Sequence, residues 1–271
     1  MNTKMKRFVR IGIITILILL LGFTVFLISA IPTAKRAVLK VCCTAHLHGL
    51  YLAVHEYHQY IDKVQIDDKI PFFGDKTTGE EYWSWRATYL FWGEYPPNKD
   101  SFRLSEPWDS EYNLPLFQKK VAGSQKKMWY ARYMFCPGDE QREKSSYVAV
   151  TGPGTVWTEM QNGNLSENVW DYAEKILIIE TSEPKNFWAE PGDDVSPEEV
   201  IRLFEADPGL VKNSKQKWWD RSHWPKHYVN AIGDVKSFDT IKDVEELRKL
   251  LTVSPEQIEA VRKKVEERNE K

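Results

Sequence analysis

Residues 11–31 form a run of 21 positions, rich in Ile, Leu, Val and Phe, without a single charge. At 1.5 Å per residue a helix of this length spans a bilayer core of ~30 Å. Lipid offers no hydrogen-bond partner to the backbone, so the run must be helical if it is buried there. Lys4, Lys6, Arg7 and Arg10 precede it, and Lys35, Arg36 and Lys40 follow it. This basic flank of four against three favours a cytoplasmic N-terminus (residues 1–10) and a transmembrane helix over 11–31. The competing reading is a cleaved signal peptide. Such peptides have a shorter apolar core, about 7–15 residues, and a small-residue cleavage site. The best site here, Ile28-Ser29-Ala30, is poor, so the expectation is an uncleaved anchor.

Residues beyond the run have a different charge. Residues 41–271 carry 30 basic and 39 acidic side chains, a net of −9. An acidic domain lacks the surface that meets phosphates, which excludes nucleic acid as a partner. Three cysteines, Cys42, Cys43 and Cys136, rule out a disulfide-rich scaffold. The absence of CxxC removes zinc-ribbon and thioredoxin-type readings. If the domain lies outside the cytoplasm one bridge is permitted, pairing Cys42 or Cys43 with Cys136.

From residue 33 to residue 61 the only glycine or proline is Gly49, and apolar residues recur at roughly helical spacing. A long helix is therefore expected to leave the membrane with one face available for packing. Between about residues 70 and 180 turn signals are frequent: Gly74-Asp75, Pro96-Pro97, Pro137-Gly138-Asp139, Gly152-Pro153-Gly154 and Asn162-Gly163. The β-prone runs Tyr82–Trp85, Ser146–Val150 and Ile176–Ile179 lie among them. This pattern predicts an antiparallel sheet. Ser196-Pro-Glu-Glu199 and Ser254-Pro-Glu-Gln257 are capping boxes that open later helices, and residues 241–251 read as another. The fold class is α+β: a helix, first transmembrane and then amphipathic, packed on an antiparallel sheet, with short C-terminal helices. The expected domain occupies residues 33–252 and a charged terminal helix residues 253–271.

Several strings, in order, resemble a pilin-like family common in planctomycete bacteria (domain of unknown function 1559). They begin with Cys43 and the helical stretch ending His55-Glu-Tyr57-His58. Trp83-Ser-Trp85-Arg86 is similar to a family Ser-Trp-Arg strand, and Glu106-Pro-Trp108-Asp109-Ser110 to its Glu-Pro-Trp-Asp-Ser. Phe135-Cys136-Pro137, Tyr147 with Gly152-Pro-Gly154-Thr155, and Trp188-Ala-Glu-Pro191 follow. The C-terminal signature is degenerate around Asp234, and Gly22-Phe23-Thr24 has Leu27 where a prepilin carries Glu. The resemblance implies a pilin-like fold and a structural, assembly or envelope-interaction role. Its partners would be the lipid bilayer through 11–31 and other envelope or pilin-like proteins.

Catalytic chemistry finds little support. His46, His48, His55 and His58 crowd one helix, and Cys42–His46 and His55–His58 share faces. Transition metals use such pairs, but no HExxH-type acidic partner accompanies them. Packing and polar contacts account for these histidines, and no metal or cofactor is assigned. No Gly-x-Ser-x-Gly occurs. Gly152-Pro-Gly154-Thr155 lacks a Walker lysine and reads as a turn. Asp75-Lys-Thr-Thr-Gly79-Glu80 lacks the alternating ligands of a calcium loop and reads as a hairpin tip. Asp109 is expected to cap the turn after it. Trp83, Trp85, Trp92 and Trp108 suit core packing. Their alternative is a solute- or glycan-binding face. The expectation is a protein that is not an enzyme.

Overall fold

A computed structural model of the chain describes residues 3–64, 74–75, 80–92, 102–118, 134, 144–161, 172–181, 186–187, 189–192, 194–206 and 227–269. Two compact units divide it, Met1–Cys42 and Cys43–Lys271. Helix α1, Thr3–Val64, contributes residues to both.

In the first unit the apolar side chains of Ile13, Ile14, Leu17, Ile18, Leu21 and Phe26 are all more than half exposed. Consecutive exposed residues such as Ile18, Leu19, Leu20 and Leu21 point to every side of the helix. A helix apolar on all sides is the pattern of a buried core helix or of a membrane span. Among the described residues the portion Ala37–Tyr57 is long and apolar enough to cross a membrane by length and composition, and Gly12–Phe26 is a shorter apolar stretch. Yet Leu47, Leu50, Val54 and Tyr57 in it are buried in the core of the second unit. The apolar segment whose side chains are not taken up by that core is Gly12–Phe26.

The second unit is built on an antiparallel sheet of four strands in the order β3-β4-β5-β6: Tyr147–Ala149, Ile176–Glu180, His227–Asn230 and Val235–Ser237. Side chains alternate across a strand. Tyr147, Ala149, Ile178 and Val229 pack with Leu47, Leu50 and Val54 of α1, with Trp85 and Tyr89 of α2 (Trp85–Trp92), and with Trp157 of α4 (Val156–Gln161). Val148, Ile179 and Tyr228 pack with Val200, Ile201 and Phe204 of α5 (Pro197–Ala206) and with Leu247 and Leu251 of α6 (Val244–Leu251). Burial on both faces explains the unbroken apolar run Ile176–Ile179. A register shift between Ile176 and Ile178 places Leu177 in the α1-side cluster.

The strands expected at 146–150 and 176–179 are present. The strand expected at Tyr82–Trp85 is not, because Trp85 begins helix α2. Ser84 Oγ accepts the Ala87 N–H at 3.2 Å, an N-cap that starts a helix where aromatic content suggested a strand. Gly74–Asp75 (β1) is strand rather than turn, paired antiparallel with Glu80–Glu81 (β2) as a hairpin requires. Helix α3 occupies Leu114–Gln118 and helix α7 Pro255–Asn269. At the start of α7 Ser254 and Gln257 exchange both bonds of a capping box, at 3.1 and 3.2 Å. At α5 Ser196 Oγ accepts the Glu199 N–H, while the Glu199 carboxylate forks onto Arg202 at 2.7 and 3.1 Å.

Candidate functional site

The sequence-predicted positions gather into buried frames that tie α1, α2 and the sheet together. Arg86 is fully buried. It donates to the Tyr147 carbonyl at 3.1 Å and to the Glu190 carbonyl at 3.4 Å, and lies 5.3 Å from the centre of the Trp85 ring. Trp85 Nε1–H donates to Asp194 Oδ1 at 2.9 Å, and the Ala149 N–H reaches the same oxygen at 3.3 Å. The Tyr147 hydroxyl donates to the Cys43 carbonyl at 3.1 Å. Cys43, Trp85, Arg86 and Tyr147 are thus linked through one set of contacts. Around them Trp85, Tyr89 and Trp157 meet edge to face, and Tyr57 meets Tyr89 at 5.2 Å. Burial, helped by Tyr57, drives the Tyr89 hydroxyl far above its ordinary pKa.

A second frame forms the Glu106-Pro-Trp108 loop. Its hub is Asn113, fully buried. The Asn113 amide accepts from the Arg103 N–H at 3.0 Å and donates to the Arg103 and Pro107 carbonyls at 3.0 and 2.9 Å. Trp83 Nε1–H donates to the Glu106 carbonyl, and Trp108 stacks on Phe187 at 5.0 Å. Glu106 itself pairs with Arg103 at the surface. The expected cap at Asp109 is corrected: Ser110 Oγ accepts the Asn113 N–H at 3.1 Å, and Asp109 is exposed. Trp83 and Trp85 are buried, which withdraws both from a sugar-binding face.

Gly152 and Gly154 lie at φ +122° and +75°, the region that favours glycine. The Gly152 N–H donates to Thr158 Oγ1 and the Thr155 N–H to the Gly152 carbonyl. Both amides are spent inside the chain, consistent with a turn rather than a phosphate cradle. Pro191 supplies a carbonyl to Asn186 Nδ2 at 3.0 Å.

Two of the helix histidines, His48 and His55, lie at a junction with the β5–β6 turn. His48 Nδ1 lies 2.9 Å from the Gly233 carbonyl, which only accepts, so this nitrogen carries the proton. His48, Tyr51 and His55 stack in sequence, with ring centres 6.0 and 5.5 Å apart. Burial first, then the charge of Asp234, raises the Tyr51 pKa. Asp234 donates its N–H to Asn230 Oδ1 at 2.8 Å, closing the turn. Among the described residues no three His, Cys, Asp or Glu side chains converge as metal ligands. The side chain of His58, along with Cys136, Pro137 and Trp188, lies outside the described residues, as does the side chain of Trp92.

Sequence reasoning missed one buried pair. Glu180 Oε2 accepts from His227 Nδ1 at 2.5 Å, with both side chains about nine-tenths buried or more. The His227 Nε2 atom meets no hydrogen-bond partner among the described residues. The available signal was a Glu ending the apolar run of β4 and a His opening β5. A carboxylate-oriented imidazole is half of an acid–base device, but among the described residues no nucleophile is hydrogen-bonded to Nε2. Cys43 is disulfide-bonded, whereas Cys42 is a free, half-buried thiol.

No protein-family model, curated protein or solved structure matches this chain.

Proposed function

We propose that this is a single-pass membrane protein whose N-terminal helix anchors an extracytoplasmic, pilin-like domain with a structural or assembly role in the cell envelope, without catalysis. The observation that carries the reading is Gly12–Phe26, apolar and exposed on every side, within the same helix α1 that packs Leu47, Leu50 and Val54 on an antiparallel sheet. The Cys43 disulfide supports an oxidising compartment for the domain. The basic flanks support a cytoplasmic N-terminus. The motif residues support a structural role because their polar atoms are engaged with one another. Cys43, Trp85, Arg86, Tyr147 and Asn113 hold elements in register rather than facing a ligand.

Alkaline carbonate washing of native membranes tests the anchor. The intact chain is expected to stay in the pellet, and a chain lacking residues 1–32 to be soluble and to unfold cooperatively. Release of the intact chain by carbonate would remove the membrane from the account. Aggregation of the truncated chain would mean that residues 1–32 are needed to shield the domain.

A further inference from the structure

We infer that two membrane-anchored copies of this chain associate, next to the bilayer, through the face of α1 formed by Ile31, Ala34, Val38 and Val41, and that Cys42 joins them as an intermolecular disulfide. The inference rests on the anchored, extracytoplasmic reading above. At 3.6 residues per turn, these positions and Cys42 fall within an arc of about 100°. Ile31, Val38 and Val41 are 61%, 60% and 66% exposed. Lys40 lies on the opposite side of the helix and is exposed as well. The steps 31, 34, 38 and 41 alternate three and four, the spacing of a seam between two helices. Ala34 is small enough to let two backbones approach.

The occupant is identified by the cysteines. One chain has three, an odd number. Cys43 is already bonded and Cys42 is left over, beside the apolar face. In an oxidising compartment a leftover thiol points to pairing between chains. A two-fold axis along the seam brings Cys42 against its own counterpart, as an isologous interface does. Both copies cross the bilayer in the same direction, which makes the pair parallel. The acyl core of the bilayer is the weaker occupant, because Lys35, Arg36 and Lys40 interrupt this stretch with charge. Bond formation joins the two Sγ atoms and releases two protons and two electrons. The oxidant is a protein or low-molecular-weight disulfide, which is reduced to two thiols.

The test uses the full chain in native membranes, with free thiols blocked by N-ethylmaleimide before lysis. A band at twice the chain mass is expected without reductant, lost on reduction and absent in Cys42→Ser. A wild-type chain that stays in the carbonate pellet, yet is monomeric and fully alkylated at Cys42, overturns the inference while leaving the anchor intact. A second arm places single cysteines in the Cys42→Ser background. Oxidation is expected to cross-link Val38→Cys and not Lys40→Cys. Equal cross-linking of the two contradicts the seam.

Discussion

Gly233→Val is expected to destabilise the folded chain by about 3–5 kcal/mol, the sum of a strained backbone and an overpacked contact. Gly233 sits at φ +92°, where a β-branched residue is an outlier. A Cβ built there would lie 2.4 Å from Tyr51 Cε1 and 2.7 Å from Cδ1. The ring cannot swing away cheaply, because His48 and His55 stack on either side of it. Yielding would also disturb the His48 bond to the Gly233 carbonyl, the link between α1 and the β5–β6 turn. Thermal unfolding in detergent, followed by circular dichroism, should show a Tm lowered by about 6–20 °C, at roughly 2–4 °C per kcal/mol for a domain of this size. Tyr51→Ala should remove the steric part but not the backbone part, giving a non-additive double mutant. A Gly233→Val protein as stable as wild type would mean that the turn does not dock on α1 as described.

Glu180→Leu is the second large effect, with an expected cost of about 3–5 kcal/mol. Glu180 and His227 take each other's polar atoms at 2.5 Å inside the protein. With Nε2 already lacking a partner among the described residues, loss of the carboxylate would strand the Nδ1–H too. Replacing both residues, as Glu180→Leu with His227→Phe, removes both stranded groups and should recover most of the loss. Urea unfolding of the single and double variants measures this. A double variant no better than Glu180→Leu alone would show that the pair is not the source of the cost.

How much of this was legible in the sequence follows from the range of each cause. The apolar run at residues 11–31, the strands at Tyr147–Ala149 and Ile176–Glu180 and the cap at Ser254 depend on neighbours in the chain, and they read directly. Trp85 misled because its strand preference is a packing preference. Trp157 and Tyr89 satisfy that packing from a helix once Ser84 caps it. The Asp194 carboxylate that receives Trp85 is 109 residues away, and the Asn113 hub closes a loop through three carbonyls. The second lies in the Glu106-Pro-Trp108 string, which showed the motif but not which residue is its hub. The first has no local signature. The same holds for Glu180 and His227, 47 residues apart and joined only by strand register. Cys42 and Cys43 are neighbours of one residue type, so sequence left both open as partners. The structure separates them into a free thiol and a bonded one.

The most direct test of the central claim is protease protection in intact spheroplasts, with one epitope tag ahead of residue 11 and another after residue 271. The account predicts that added protease removes the C-terminal tag and leaves the N-terminal tag protected until the membrane is broken. Protection of the C-terminal tag, or digestion of the N-terminal one before lysis, would contradict it.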